Sequence, residues 1–290
     1  MELAKEFDGE VVSCDSMQVY RRMDIGTAKP TKEEMQGIPH HMIDVASPEE
    51  DYSVSRYCAQ AAPIVEDIVA RGKTAIIAGG TGLYMDSLIR GNDFAPFPST
   101  GVRQRLEAQA DAEGLEAMAD WLRSVDPEAA ERIHDRKRLL RALEVYLETG
   151  ETITEHNRRT QAIPPRFTPV WLGLDFEDRQ QLYDRIDLRV TKMLEMGLLE
   201  EIRELLASGV PEKATAMQAI GYKEFVDALA SRETLEAAAD QVRQSSRRYA
   251  KRQLTWFRRN KAMHWLIREK QTTGEDIFRS ARQVLREIDK

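Results

Sequence analysis

The feature that most restricts the fold is a strand, a glycine turn and a helix that follow one another directly in the first third of the chain. Thr74–Ala78 is almost entirely apolar, residues 79–82 read GGTG, and residues 83–89 have the spacing of a helix. A short continuous apolar run is typical of a parallel strand buried on both faces. Parallel strands need long crossover connections, which are usually helices. The pattern therefore predicts an α/β fold in which helices flank a parallel sheet.

The glycine turn itself has two interpretations. Backbone amides at the start of a helix point outward and the helix dipole favours negative charge, so such a turn can bind a phosphate group. Glycine is also the ordinary residue of a tight turn that binds nothing. The GGTG sequence leaves both interpretations open, and taken alone it favours the plain turn.

An acidic residue follows an earlier predicted strand. Residues 11–14 predict that strand, and Asp15 lies at its C-terminal tip, where open α/β sheets bind ligands. A carboxylate at this place can accept a proton, hold a metal or orient a base. Asp15 and Ser16 are also common capping and turn residues. Capping alone does not explain Gln18 and Tyr20, so the longer run favours a functional role.

Proline-rich segments divide the chain into two predicted domains. Residues 94–100 and 163–165 are proline-rich, and between them only helical patterns occur. We therefore predict an α/β core made of residues 1–95 and 166–290, with an all-helical insertion at residues 96–165. The helices of the insertion are predicted at residues 102–113, 114–125, 127–134 and 138–149. In the core we also predict strands at residues 39–45, 170–174 and 264–267, and helices at residues 3–7 and 54–71, the second capped by Ser53.

A helix predicted in the second half of the chain carries two arginines on one face. A long helix is predicted at residues 179–206, with Asp178 and Gln181 as a capping box. Arg185 and Arg189 are four residues apart on it and share a face. They fit an anion site, but a lattice of surface ion pairs with nearby acidic residues is the commoner arrangement.

The last long helix is unusually basic. Between its first and last basic residues there is no acidic residue, although the chain has a formal net charge of −7. Such a run is usually a solvated face, but one this unbalanced in an acidic protein suggests a polyanionic partner. The basic residues are Arg243, Arg247, Arg248, Lys251, Arg252, Arg258, Arg259 and Lys261.

Composition excludes several classes of protein. The chain is 42% hydrophobic and 31% charged, as in an ordinary globular protein. No apolar run is long enough to span a membrane and no signal peptide precedes residue 9, so we expect a cytoplasmic protein. The two cysteines and five histidines lack the spacing of metal ligands, which gives no support to a zinc site.

Several sequence blocks together resemble the tRNA dimethylallyltransferase (tRNA isopentenyltransferase) family. They occur in the order of the family and extend over nearly the whole chain. The blocks are DSMQVYR at residues 15–21, DIGTAKP at 24–30, GGTGLY at 79–84, RLLRALEV at 138–145, the Arg185 and Arg189 helix, QAIGYKE at 218–224 and KRQLTW at 251–256.

The resemblance implies both a reaction and a fold. The reaction is transfer of a dimethylallyl group from dimethylallyl diphosphate to N6 of the adenosine 3′-adjacent to the anticodon in tRNA. The fold is a nucleotide-binding, P-loop NTPase/kinase-like α/β domain, with a helical insertion that closes on the anticodon stem-loop. We expect a monomer, and we infer Mg²⁺ from the diphosphate substrate alone without naming a metal ligand.

The resemblance also implies roles for individual residues. Asp15 would take the proton from N6, while Thr81 and Arg189 would act on the leaving diphosphate. The substrate-binding set would be Ser16, Met17, Gln18, Gly79, Gly80 and Arg185. The tRNA-binding set would be Asp15, Ser16, Met17, Gln18, Lys137, Arg138, Leu139, Leu140, Arg141, Gln218, Ala219, Ile220, Gly221, Tyr222, Lys223, Arg248 and Arg252.

One departure from the family concerns the N-terminus. The family begins with a strand and a loop of the form G-x-x-x-x-G-K-[ST], which cradles the diphosphate, and this sequence has no such motif. We expect an N-terminally shortened form of the enzyme, because Asp15, Thr81 and Arg189 all remain. The activity of such a form would depend on whether the missing loop is dispensable.

Three other functions fit the same residues less well. An adenylate isopentenyltransferase acts on free nucleotides and needs neither the helical insertion nor the basic helix. A non-catalytic tRNA-binding protein could use the same surfaces without turnover. A generic nucleotide kinase is weaker still, because the phosphate-binding loop is absent.

Overall fold

The computed structural model describes residues 1–91 and 100–288, which form helices and short parallel strands. The strands are β1 Gly9–Ser13, β2 His40–His41, β3 Thr74–Ala78, β4 Trp171–Phe176 and β5 Met263–Arg268. The helices are α1 Glu2–Glu6, α2 Lys32–Met35, α3 Val54–Ala70, α4 Gly82–Arg90, α5 Val102–Val125, α6 Pro127–Ala130, α7 Arg136–Thr149, α8 Ile153–Ala162, α9 Arg179–Glu195, α10 Leu198–Ala207, α11 Lys223–Leu229, α12 Leu235–Phe257 and α13 Gly274–Ile288, with a 3₁₀ turn at Ala216–Gln218.

The strands form two parallel sheets. In the first, β1 lies between β2 and β3, with Val11 opposite both His40 and Ile76. In the second, β4 pairs with β5, with Trp171 opposite Met263. Helices separate successive strands in the sequence, as parallel pairing requires. The predicted α/β class, with a parallel sheet and flanking helices, is confirmed.

The central strand β1 is buried along its whole length and contains an ionised residue, Glu10. Arg71 donates to both carboxylate oxygens of Glu10 at 2.5 and 2.9 Å, and His41 Nε2 lies 2.8 Å away. Lys73 approaches the same carboxylate at 3.3 Å. The hydrogen bonds from Arg71, followed by those from His41, hold the pKa of Glu10 far below its usual range. The sheet therefore depends on a carboxylate that stays charged.

This ion cluster predicts how stability varies with pH. Folding lowers the pKa of Glu10 below the value of about 4.5 that it has in the unfolded chain. The ionised carboxylate therefore contributes its full share of the folding stability above pH 4.5, and this share is lost as the pH falls below that value. Urea titrations between pH 3 and 7 should show a smaller pH dependence of the unfolding free energy for Glu10→Gln than for the wild type. Glu2→Gln, an exposed change, is the control. Identical pH dependence for Glu10→Gln and wild type would contradict the assignment.

The strand β3 is less buried than its sequence suggests. Thr74 and Ala78 are exposed and the three residues between them are half-buried, so the prediction of burial on both faces is wrong. The reason is an apolar cleft of about 910 Å³ that β3 and β4 both line. Within the described residues, β3 pairs only with β1 and β4 pairs only with β5.

Other element boundaries differ from the predictions for local reasons. The predicted strand at residues 39–45 is only β2, because Met42 and Asp44 have φ values of 63° and 58°. The predicted helix at residues 179–206 is two helices, α9 and α10, separated by Gly197 with φ of 100°. The side chain of Asp178 accepts from the amide of Gln180, so the predicted capping box with Gln181 is wrong.

The insertion region also departs from its predicted elements. The kink at Gly114, with φ of 87° and ψ of 164°, falls where two helices were predicted to meet. The helix predicted at residues 127–134 is the shorter α6. Helix α8 was not predicted, although Thr152 and Glu155 form the capping box that is a sequence signal for a helix start.

The chain divides into two compact units. One contains Met1–Ile89 and Phe167–Lys290, and the other contains Arg90–Arg166. Each has its own apolar core: Tyr20, Tyr57 and Phe225 are among the largest buried residues of the first, and Leu106, Leu122 and Leu140 of the second. The proline-rich segment predicted as a boundary falls mostly on residues 92–99, outside the described residues. No helix among the described residues is long and apolar enough to cross a membrane.

Candidate active site

The tips of β1 and β3 bring Asp15 and Thr81 together. The Cys14 amide donates to the Ala78 carbonyl at 2.7 Å, and the Thr81 amide donates to the Cys14 carbonyl at 3.2 Å. The Thr81 hydroxyl then accepts a 3.0 Å hydrogen bond from the amide of Ser16. A Cβ on Gly79 would lie 2.1 Å from the Cys14 carbonyl oxygen, so this approach requires glycine.

The two oxygens of Asp15 have different environments. Oδ1 accepts from the amides of Met17 at 2.8 Å and Gln18 at 3.3 Å. Oδ2 accepts no hydrogen bond from any residue that the structure describes, and the side chain is only half-buried. Capping and function, the two interpretations of Asp15, are therefore compatible: one oxygen orients the carboxylate and the other is left to accept a proton or a hydrogen bond.

An arginine on α9, Arg189, is influenced by the charge of this carboxylate. Loss of solvent lowers the pKa of the Arg189 guanidinium, and the charge of Asp15 opposes that shift, which places the two groups within electrostatic reach. Among the described residues Arg189 forms no ion pair. Arg185, one turn away, stacks over the Phe176 ring with 5.9 Å between the guanidinium carbon and the ring centroid. The Asp15–Ser16 turn and Thr81 thus form a polar cluster at the strand tips, and the charge of Asp15 acts on Arg189.

The thiol next to Asp15 is not part of that chemistry. Cys14 is fully buried, and burial raises the pKa of its thiol to about 12. A thiol that stays protonated near neutral pH is a poor nucleophile and a poor metal ligand. Cys14 therefore acts through its backbone.

Two further residues predicted to bind substrate, Gln18 and Ser16, have different environments. The Gln18 amide nitrogen donates to the carbonyls of Thr27 and Ala28, both at 3.2 Å, and its oxygen accepts from Ser13 at 3.0 Å. Its side chain thus holds the turn of the DIGTAKP segment. The Ser16 hydroxyl lies 3.4 Å from that of Thr81 and is available to a ligand.

A glutamate that the sequence did not single out organises the DIGTAKP segment. Glu201 on α10 accepts from the amides of Asp24 and Ile25 at 2.8 Å and of Gly26 at 3.2 Å. It also accepts from the hydroxyl of Tyr222 at 2.5 Å, and the Tyr222 ring fills the space where a Cβ of Gly26 would be. One carboxylate therefore ties together two blocks that are almost 200 residues apart.

The residues predicted to touch tRNA differ in exposure. In the segment 218–223, Gln218 and Lys223 are exposed, Ile220 is half-buried, and Ala219, Gly221 and Tyr222 are buried. Side-chain contact with a large ligand is open to Gln218 and Lys223. In the other unit, Lys137 and Arg138 are exposed at the start of α7 and Arg141 pairs with Glu144 at 2.8 Å, whereas Leu139 and Leu140 belong to the core.

The basic residues on α12 and directly after it fall into two groups, those that form ion pairs and those that do not. Arg243 pairs with Asp240, Arg247 pairs with Asp187, and Arg258 pairs with Asp175, each at 2.6 Å. The remaining basic residues are exposed and form no ion pair among the described residues. They are Arg248, Lys251, Arg252, Arg259 and Lys261. Sequence alone could not make this division, because the acidic partners Asp187 and Asp175 lie far away in the chain.

The role of Glu201 can be tested through stability. Glu201→Ala leaves three backbone amides and the buried Tyr222 hydroxyl without an acceptor, so the unfolding free energy should fall by about 1–3 kcal/mol. Glu200→Ala, on the same helix, removes only an exposed pair with Arg203 and should cost less than about 1 kcal/mol. Equal denaturation midpoints for the two variants would show that Glu201 does not organise the segment.

Comparison with known proteins places these features in context. A sequence model described as IPP transferase matches residues 18–260. A tRNA dimethylallyltransferase of Thermoanaerobacter sp. (strain X514) is 45% identical over 281 residues, which are 96% of this chain and 89% of the relative. The enzyme of the same name from Acetivibrio thermocellus is 41% identical over 288 residues, covering 98% and 92%.

Solved structures agree with the sequence comparison. The full-length tRNA isopentenylpyrophosphate transferase of Bacillus halodurans has a TM-score of 0.73 at 40% identity, over 99% of this chain and 91% of that one. A eukaryotic dimethylallyltransferase acting on tRNA has a TM-score of 0.80 at 30% identity, over 98% and 73%.

Proposed function

The chain belongs to the IPP transferase family, and from that membership we propose that it transfers a dimethylallyl group from dimethylallyl diphosphate to N6 of the adenosine 3′-adjacent to the anticodon in tRNA. The relatives are prenyltransferases that modify tRNA, which confirms the predicted class of enzyme. The solved structures confirm the predicted P-loop NTPase-like fold. The observation that carries the proposal is Oδ2 of Asp15, which accepts no hydrogen bond from the described residues and lies at the strand tips where Thr81 binds the Ser16 amide. We place the reaction in the cytoplasm.

Asp15 serves as the proton acceptor in this proposal. The exocyclic N6 of adenosine is a weak nucleophile, and it becomes a better one as a carboxylate accepts its proton. A bond forms between N6 and C1 of the dimethylallyl group, the C1–O bond breaks, and its electron pair leaves with the diphosphate. The proton from N6 goes to Oδ2 of Asp15, while Oδ1 stays fixed by the amides of Met17 and Gln18.

Thr81 and Arg189 serve the leaving group. Negative charge grows on the diphosphate as the C1–O bond breaks, so fixed donors and a cation there stabilise the transition state. The hydroxyls of Thr81 and Ser16 are donors at the turn, and Arg189 supplies the cation. Arg185, one helix turn from Arg189 and stacked on Phe176, would support the same charge.

Mg²⁺ is the cofactor that this chemistry calls for. Mg²⁺ prefers oxygen ligands and usually retains water while binding substrate phosphates. The described residues contain no group of three or more His, Cys, Asp or Glu side chains that could hold a metal, so the chain does not build a metal cage from such residues there. The hydroxyls of Ser16 and Thr81 are the oxygens that would meet an ion carried by the diphosphate. When bound, the ion would neutralise part of the charge of the diphosphate.

Recognition of tRNA would use the anticodon stem-loop. An enzyme that acts on a base must take the base out of its stack, and unpaired loops permit this most easily. The basic residues on and directly after α12 that form no ion pair suit the phosphate backbone, and Lys137 and Arg138 add exposed positive charge in the helical unit. We propose that the protein binds tRNA as a monomer.

The alternatives are not favoured. The relatives named above are tRNA enzymes, which argues against both a free-nucleotide prenyltransferase and a binding protein without activity. A competition experiment, in which undermodified tRNA and AMP are both offered as acceptors of the dimethylallyl group, distinguishes the proposal from a free-nucleotide prenyltransferase. The proposal expects product on tRNA only, and preferential labelling of AMP would overturn it.

Replacing Asp15 tests the proton acceptor. Asp15→Asn keeps an oxygen for the Met17 and Gln18 amides but loses the basic carboxylate, so single-turnover transfer should slow by about 10²–10⁴-fold. Affinity for tRNA, measured by filter binding, should stay unchanged. Asp24→Asn, which lies outside the cluster, is the control variant. Undiminished transfer by Asp15→Asn would remove Asp15 from the mechanism.

The salt dependence of tRNA binding tests the division of the basic residues into those with and those without an ion pair. Arg248→Gln and Arg252→Gln should each lower the slope of log K against log salt concentration by about 1, because each removes one phosphate contact. Arg247→Gln is the matched control: its guanidinium is held by Asp187, so the slope should stay unchanged. A lower slope for Arg247→Gln, with unchanged slopes for the other two, would contradict the assignment.

A further inference from the structure

Two side chains of α12 pack directly against the glycine turn. The amide nitrogen of Gln253 donates to the Gly80 carbonyl at 2.9 Å, and a Cβ on Gly80 would lie 1.9 Å from that nitrogen. The Trp256 ring fills the corresponding space at Gly82, where a Cβ would lie 2.3 Å from the ring. The Trp256 indole nitrogen donates to Asp86 on α4 at 2.9 Å.

Glycine is required at these positions because there is no room for a Cβ atom, and not because of the backbone conformation. Neither Gly80 nor Gly82 is among the glycines with positive φ. An alanine would therefore suit their backbone angles, and only the side chains of Gln253 and Trp256 exclude it. The turn and the helix are thus matched to each other.

The hydrogen bond from Gln253 acts on one particular peptide unit. The Gly80 carbonyl and the Thr81 amide belong to the same planar group. Its oxygen accepts from Gln253, and its N–H donates to the Cys14 carbonyl at 3.2 Å. Because both ends of the plane are held from opposite sides, the peptide cannot rotate, and the Thr81 side chain that follows it stays on the Ser16 amide.

We propose that Gln253 is a positioning residue that fixes the 80–81 peptide and thereby holds the Thr81 hydroxyl in the orientation that binds the diphosphate of the prenyl donor. Trp256 supports it by holding Gly82 and the start of α4. Without the Gln253 donor, the Gly80 carbonyl is free to turn toward the ligand, where its oxygen repels a diphosphate. This inference rests on the proposed function of the glycine turn, and it adds a role for α12 in donor binding.

A purely structural role for Gln253 predicts something different. It would lower stability and weaken donor and tRNA binding alike, whereas positioning weakens diphosphate binding selectively. Inorganic pyrophosphate with Mg²⁺ is the probe, since its binding, measured by calorimetry, needs neither acceptor nor turnover. Wild-type protein that binds pyrophosphate but does not prenylate tRNA would overturn the proposed function and leave this inference standing.

The first variant is Gln253→Met, which keeps the length of the side chain and removes the donor. Its Kd for pyrophosphate should rise by about 5–10-fold, the effect of one hydrogen bond, with tRNA affinity unchanged. Gln244→Met, exposed on the same helix, is the control. Unchanged pyrophosphate affinity in Gln253→Met, or no pyrophosphate binding by the wild type, would overturn the inference.

The second test is a double-mutant cycle with Gly80. Gly80→Ala places a methyl group against Gln253 and should weaken pyrophosphate binding at least as much as Gln253→Met does. Gln253→Ala makes room for that methyl group, so the double variant Gly80→Ala/Gln253→Ala should bind no more weakly than Gln253→Ala alone. Effects that multiply in the double variant would show that the two positions act independently and would refute the proposed contact.

Discussion

The hydrogen bond from the Thr81 amide to the Cys14 carbonyl is the contact on which the site depends. It joins the ends of β1 and β3, and it requires glycine at position 79 because the two chains pass so closely. Asp15 follows Cys14 directly, so the same contact sets the carboxylate beside the Thr81 hydroxyl. The proposed base and the proposed donor for the leaving group thus come from two strand tips of one parallel sheet, the usual place for ligands in such folds.

Helix α12 gives this arrangement its second support. Two of its arginines and Arg258, directly after it, pair with Asp240, Asp187 and Asp175, and two of those partners lie on α9 and β4. Gln253 and Trp256 fix the glycine turn, while the arginines without ion pairs remain exposed. One helix therefore contributes to packing, holds the glycine turn and exposes positive charge.

Local patterns in the sequence predicted much of the fold, whereas contacts between residues far apart in the chain could not be predicted from them. The limits of β3 and the Ser53 cap of α3 followed from apolar runs and capping chemistry. The break between α9 and α10 did not, because the left-handed Gly197 looks like any other glycine in sequence. The roles of Glu201 and Gln253 could not be predicted, since their partners lie more than 170 residues away.

The most direct test of the account is to ask whether the strand-tip cluster transfers a prenyl group. The protein is incubated with undermodified tRNA, dimethylallyl diphosphate and Mg²⁺, and the tRNA is digested and analysed by mass spectrometry. The account predicts a dimethylallyl-sized mass gain on the adenosine 3′-adjacent to the anticodon, absent when Asp15 is replaced by asparagine. A mass gain at another nucleotide, or equal modification by the Asp15→Asn variant, would contradict it.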